Sequence, residues 1–106
     1  MKDAPLDFAF VFERLSTIDK NEETTALGGV DVRLVRVPGG GPGRWDSHAH
    51  SAETVVVWSG VFTVEFRDHT LNLGAGQCCV VPAGVEHRGT SATGAEVVLF
   101  KTSPPA

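Results

Sequence analysis

Tyrosine is absent from the 106 residues, and only two are cysteine. Without tyrosine there is no phenol to act as a general acid or base. The cysteines, Cys78 and Cys79, are neighbours, and adjacent residues of a strand point to opposite faces. A bridge between them would need a strained backbone, so two free thiols are expected, at least one of them in the core. No apolar run approaches the length of a membrane span, and no membrane partner is expected. The net charge is −4, with 9 basic against 13 acidic residues and no cluster of Lys and Arg. That balance speaks against nucleic acid and against anionic membranes. The opening residues, Met1-Lys2-Asp3-Ala4-Pro5, carry an acid and a proline and lead into no long apolar segment. No signal peptide is expected, and the expected location is cytoplasmic. Internal repeats, linkers and low-complexity segments are also lacking, and the length suits one domain with one core.

What is present reads as an all-β chain. Glycine is abundant at 12, as many tight turns require. Residues 6–15 begin with an apolar cluster near helical spacing, and a short N-terminal helix or an edge strand both fit. Residues 16–28 are polar and read as a loop. Strict alternation follows: Val30, Val32, Leu34 and Arg36 on one side, Asp31, Arg33, Val35 and Val37 on the other. Pro38 and the glycine-rich residues 39–43 end that strand. Residues 54–58 are β-branched and aromatic, Ser59-Gly60 reads as a turn, and residues 61–67 resume the pattern, which is a hairpin signal. Residues 70–73, 77–81 and 95–101 supply further short strands, separated by residues 74–76, 82–84 and 89–94. Short strands at close, regular spacing argue for a sandwich or barrel. The division expected is an N-terminal segment, 1–28, packing on the barrel or on a dimer partner, a barrel over 29–102, and a frayed tail, 103–106.

The candidate chemistry lies in residues 45–53 and at His87. Asp46, His48 and His50 would share one side of an extended chain, and Glu53 opens the next strand. An antiparallel barrel could bring His87, which follows Pro82-Ala83-Gly84-Val85-Glu86, beside them. Imidazole with carboxylate is a common ligand set for Mn, Fe, Ni or Zn. His69, at a hairpin tip, is expected in solvent. Trp45 either covers the barrel mouth or packs in a core or interface. Alternation from Glu53 turns Val55 and Val57 inward and Trp58 outward, where it would meet a covering element or a second subunit.

The spacing of these residues resembles both halves of the cupin signature. The first motif is G-x5-H-x-H-x3,4-E-x6-G, and this chain has Gly40, five residues, Asp46, Ser47, His48, four residues, Glu53, six residues and Gly60. The second is G-x5-P-x-G-x2-H-x3-N, and this chain has Gly76, five residues, Pro82, Ala83, Gly84, two residues, His87, three residues and Ser91. The 15 residues between Gly60 and Gly76 match the short spacing of minimal cupins. Residues 45–60 and 80–88 are similar to small single-domain cupins of the conserved-barrel type, some labelled mannose-6-phosphate-isomerase-like.

The resemblance implies a closed antiparallel β-barrel, a double-stranded β-helix or jelly-roll, with one divalent transition metal held by His48, Glu53, His87 and Asp46. Asp46 stands where the motif has its first histidine, and Ser91 where it has asparagine. A register using His48 and His50 as the histidine pair leaves two residues before Glu53 and puts Pro42 at the glycine position; the Asp46 register satisfies both spacings. Because Asp reaches less far than His, Asp46 would touch the metal directly, through water, or not at all. The set His48, Glu53 and His87 would then remain, suited to Fe(II) and oxygen or to Lewis-acid work by Mn or Zn. A barrel with polar residues in its mouth and no ion is the plainer alternative. Two functions stay open: an enzyme acting on a small organic molecule, with oxygenase-, isomerase-, lyase- or decarboxylase-like chemistry, or a non-catalytic sensor of a small molecule or metal. Glu86, Arg44, Arg88, Cys78 and Cys79 are nearby acid–base candidates that no spacing singles out. Many small cupins are homodimers, so a homodimer is expected.

Overall fold

The computed structural model describes residues 5–41 and 43–102. Most of the opening stretch read for a signal, Pro42, and the tail 103–106 lie outside the described residues.

The apolar cluster near the N-terminus forms a helix, α1 (Phe8–Thr17), and not a strand. Asp7 caps it, its carboxylate accepting from the Phe10 N–H at 3.1 Å. Val11, Phe12 and Leu15 make the buried stripe, at the i, i+1, i+4 spacing of one helical face. They pack on Val32, Leu34 and Val98, forming a small core outside the sheets.

Residues 16–28, read as a loop, contain instead a strand, β1 (Glu22–Leu27), paired antiparallel with β2 (Val30–Val37). The turn between them is Gly28-Gly29, with φ of 58° and 81°, the two-residue hairpin that needs positive φ at both positions. β1 has one neighbour and is largely exposed, so no apolar alternation marks it. Ion pairs Arg33–Glu22, at 2.6 Å, and Arg14–Glu23 hold it to β2 and to α1.

The expected hairpin at Ser59-Gly60 does not form: β3 (Glu53–Phe66) is one continuous strand, with a β-bulge at Trp58, between Val57 and Ser59. The chain does not reverse, because β7 (Ala95–Thr102) pairs with β3 on both sides of the bulge. The extra residue shifts the alternation. Glu53, Val55 and Val57 are buried before it, and Phe62, Val64 and Phe66 after it, so both halves turn apolar side chains inward. Gly60 sits at φ 81°, where an L side chain is strained.

β3 joins two sheets. Its first half pairs with β7 and with β5 (Cys78–Val81), in the sheet that also holds β1 and β2. Its second half pairs with β4 (Thr70–Gly74) and β6 (His87–Thr90). Between them lies the main core, which includes Val55, Val57, Phe62, Val64, Phe66, Leu73, Val81 and Val97. The architecture is antiparallel and mostly β, curled as a jelly-roll is. β6 occupies part of a stretch expected to separate strands. Cys78 is exposed and Cys79 half-buried against the main core, as opposite faces require.

Candidate metal centre

Three elements bring three side chains together. Glu53 is the first residue of β3, in register with Val81 on one side and Lys101 on the other. It shares the inward face with Val55 and Val57 and is only 6% exposed. His87 opens β6 opposite Phe66. His48 lies in the irregular stretch between β2 and β3, where its carbonyl accepts from the Gly84 N–H at 2.7 Å. That bond ties the Pro82-Ala83-Gly84 turn to the histidine it must face.

The geometry is that of a ligand set. Nε2 of His48 stands 3.6 Å, and Nε2 of His87 3.9 Å, from Oε1 of Glu53. One ligand atom from each of the three lies within 4.8 Å of the others. The rings are 5.4 Å apart between centroids. Two ligands bound at about 2.1 Å can be no more than about 4.2 Å apart, so both measured separations allow a shared ion. Nδ1 of His87 lies 3.1 Å from the Val85 carbonyl. A carbonyl only accepts, so Nδ1 carries the proton and Nε2 presents its lone pair. The donor set around Glu53 supplies the test of fit. Most of its side chain is packed away, but its carboxylate opens on the cleft and is not a buried group left without a partner; its nearest polar neighbours are two imidazole nitrogens. Two imidazoles and a carboxylate converging at the floor of a cleft are a donor set that divalent transition metals take.

Asp46 is in the same cleft but outside this trio. Its backbone forms a bridge with His87, Asp46 N–H to His87 carbonyl at 2.8 Å and the reverse at 2.9 Å. Its carboxylate accepts from the Ser47 N–H at 2.8 Å, which holds the carboxyl below the usual carboxylate range. His50 is exposed and stands outside the trio as well. Asp46 and His48 line one cleft as expected, but His50 does not join them, because the strand pairing stops at Asp46 and residues 47–52 are irregular.

Around the trio is a cleft of about 160 Å³. Val55, Phe62, Val64 and Leu99 give it an apolar wall, and Arg33, Arg44 and Arg88 stand at it. Trp45 lies beneath two guanidinium groups, Arg67 at 3.7 Å and Arg88 at 4.8 Å from the ring centre. Arg88 pairs with Glu65, and Arg67 with Glu86 at 3.2 Å. Lys101 places Nζ 3.1 Å from Nδ1 of His48. Sequence reasoning did not mark Arg33 or Lys101 for the site; both sit on strands whose alternation was visible, but only cross-strand register joins them to Glu53. A larger cleft of about 300 Å³, lined by Asn21, Arg36, Ser59 and Glu96 among others, has its arginine and its serine–glutamate pair already engaged. Arg36 donates to the Leu15 and Lys20 carbonyls, and the Ser59 hydroxyl donates to Glu96.

His69 is half-exposed, as a turn residue should be, but it also stacks on Phe66 with ring centres 4.5 Å apart and bonds Asp68 at 2.7 Å. Trp58 faces outward and is 44% exposed; its inner edge meets Phe8 of α1 at 5.7 Å.

Comparison with known proteins accords with this geometry. A cupin-2 domain containing protein from Shewanella frigidimarina is 24% identical, covers 94% of each chain and superposes with a TM-score of 0.77. The Neisseria meningitidis protein NMB1881 is 25% identical over 94% of this chain and 100% of its own, with a TM-score of 0.80. KdgF from a Halomonas species is 20% identical over 77% of this chain and 79% of its own, at 0.67. No curated protein matches the chain in sequence. The cupin domain family itself matches residues 33–101, which span His48, Glu53 and His87 and most of both sheets, and the chain therefore belongs to the cupins.

Proposed function

We propose that this cupin holds one divalent transition metal, Fe, Mn, Ni or Zn, through Nε2 of His48, Nε2 of His87 and the carboxylate of Glu53, and that a small organic molecule binds beside it in the barrel mouth. The observation that carries this reading is the convergence of the Glu53 carboxylate with the His48 and His87 imidazoles, one ligand atom from each lying within 4.8 Å of the others at the cleft. Two histidines and one carboxylate leave coordination positions open, and a metal so held supplies Lewis acidity or a place for oxygen. The chain's own residues do the rest. His87 is fixed in one tautomer by Val85, the apolar wall sheds water from the ligand's carbon skeleton, and Asp46 stands near enough to assist through water. Oxygenase- or isomerase-like chemistry fits such a set.

Elemental analysis of protein purified without chelator or metal-binding tag tests the site. About one Fe, Mn, Ni or Zn per chain is expected, lost in His48→Ala and in His87→Ala. A wild type that stays metal-free after anaerobic reconstitution overturns the proposal. Oxygen uptake by the Fe(II) form against a panel of small acids, phenols and sugars then separates an enzyme from a sensor.

The same reading includes a homodimer, formed on the outer face where Trp58 and Val80 are 44% and 55% exposed beside Cys78. Sedimentation velocity would show it, and a monomer at all concentrations would exclude it. Two free thiols, one of them exposed, suit a protein of the reducing cytoplasm.

A further inference from the structure

The basic residues of this acidic chain are unevenly placed. Of its 9 Lys and Arg residues, Arg33, Arg44 and Arg88 line the cleft, and Lys101 touches His48. Two of them are already neutralised: Arg33 pairs with Glu22, and Arg88 pairs with Glu65 while stacking on Trp45. Lys101 is engaged with the imidazole of His48. Arg44 differs. It is exposed at the cleft, and no ion pair or hydrogen bond to its guanidinium forms among the described residues. With those pairs set aside, Arg44 and Lys101 face Asp46 and Glu53, a balanced set. A dication in the trio would make the cleft net positive, and an arginine is the side chain best shaped for a carboxylate. The opposite wall is apolar, from Val55, Phe62, Val64 and Leu99. A volume of about 160 Å³ admits only a small molecule.

We propose that the ligand of this cleft is a short organic acid, its carboxylate received by the Arg44 guanidinium and its carbon body lying against Phe62 and Leu99. The assignment rests on the metal reading above for the location of the ligand, but its chemistry comes from Arg44 and the wall. Neutral sugars and alcohols of the same size would leave Arg44 without a partner. The charge-assisted pair is the source of selectivity, because a neutral amide offers the guanidinium one carbonyl oxygen in place of a two-oxygen anion.

The test uses the full chain reconstituted with Zn(II) and followed by amide chemical shifts. The probes are monocarboxylic acids of three to six carbons, each paired with its own primary amide. At least one acid should bind about tenfold or more tightly than its amide, with shifts at Phe62, Gly89 and Leu99. Arg44→Gln should bring the acid down to the level of the amide, and Arg44→Lys should keep part of the difference. Zinc content, measured in the same samples, should be unchanged in both variants, since Arg44 carries no ligand atom and forms no hydrogen bond or ion pair with the trio among the described residues. Acid and amide binding equally in the wild type overturns the proposal, and so does an acid preference that survives Arg44→Gln. If the wild type takes up no zinc, the metal reading fails by itself. The same titration on metal-free protein then decides this inference: an Arg44-dependent preference for acid sustains it, and its absence ends it.

Discussion

The ammonium of Lys101, on the last strand, sits 3.1 Å from Nδ1 of His48. A lysine ammonium only donates, so Nδ1 accepts and the proton of the neutral ring lies on Nε2, the nitrogen 3.6 Å from Glu53. Coordination through Nε2 needs that proton gone from it and places a second cation across the ring from Lys101. The two demands oppose each other. His87 has no such conflict, since its Nδ1 donates to Val85.

Lys101→Met should therefore tighten metal binding. Methionine keeps most of the apolar stem while removing the charge. The repulsion between an ammonium and a dication on opposite sides of one imidazole is roughly 1–2 kcal/mol in a half-exposed setting, about tenfold in affinity. Competition against a chromophoric zinc chelator measures it. Unchanged or weaker affinity would mean that Lys101 swings away at no cost.

Glu53→Gln separates the charge of the trio from its shape. Glutamine is nearly isosteric and leaves the β3 ladder intact. Without metal, the variant should be at least as stable as the wild type, because a charged group on a mostly buried side chain at the cleft floor is replaced by a neutral amide of the same shape. With zinc present, the order should invert. A metal at 100 times its Kd adds about 2.7 kcal/mol to a protein that binds it only when folded. For a domain of this size that is a rise in Tm of roughly 10 °C or more. Thermal unfolding with and without Zn(II) should show the rise in the wild type and its loss in Glu53→Gln. A wild-type Tm that zinc does not move would count against the site.

Much of this site was legible because the motif spacing records strand geometry. Glu53, Val55 and Val57 alternate, and their inward direction followed from Glu53 alone. His87 could be placed near them because a Pro-Ala-Gly turn precedes it, and the Gly84 N–H does bond the His48 carbonyl. Other features leave no local signal. β1 is polar because it is an edge strand, and so it reads as a loop. Ser59-Gly60 has the composition of a turn, and only its partner β7, which pairs with both residues, keeps it within the strand. Arg33 and Lys101 join the cleft through the register of β2, β7 and β3, which sequence pattern does not encode.

The stretch of β3 just past the bulge makes its own prediction. Gly60 combines φ of 81° with close packing on the backbone of Gly94 and Ala95, where a Cβ would collide. Gly60→Val should cost roughly 2–4 kcal/mol by strain and clash together. The neighbouring Val61→Thr, on an exposed side chain, should cost little. Urea titration compares them. Equal midpoints would show that the strand can take a side chain at this position.

The paired thiols offer a check on which face of β5 is inward. Burial pushes the Cys79 thiol up from its ordinary pKa, with the neighbouring Cys78 adding to it, whereas Cys78 stands exposed on the outer face. The thiolate is the reactive form, so a raised pKa lowers the fraction available at pH 8, and burial also limits access. Under limiting iodoacetamide, Cys78 should be alkylated first, and peptide mass spectrometry resolves the two by fragmentation between the adjacent residues. The lag of Cys79 should shrink as pH rises, because the deprotonated fraction climbs toward that of an ordinary thiol. It should vanish in urea, where both residues are exposed. If Cys79 reacts first in the folded protein, β5 presents the opposite face to the core. Val81, two residues on and buried beside Glu53, would then be misplaced as well, and with it the strand pairing that positions Glu53.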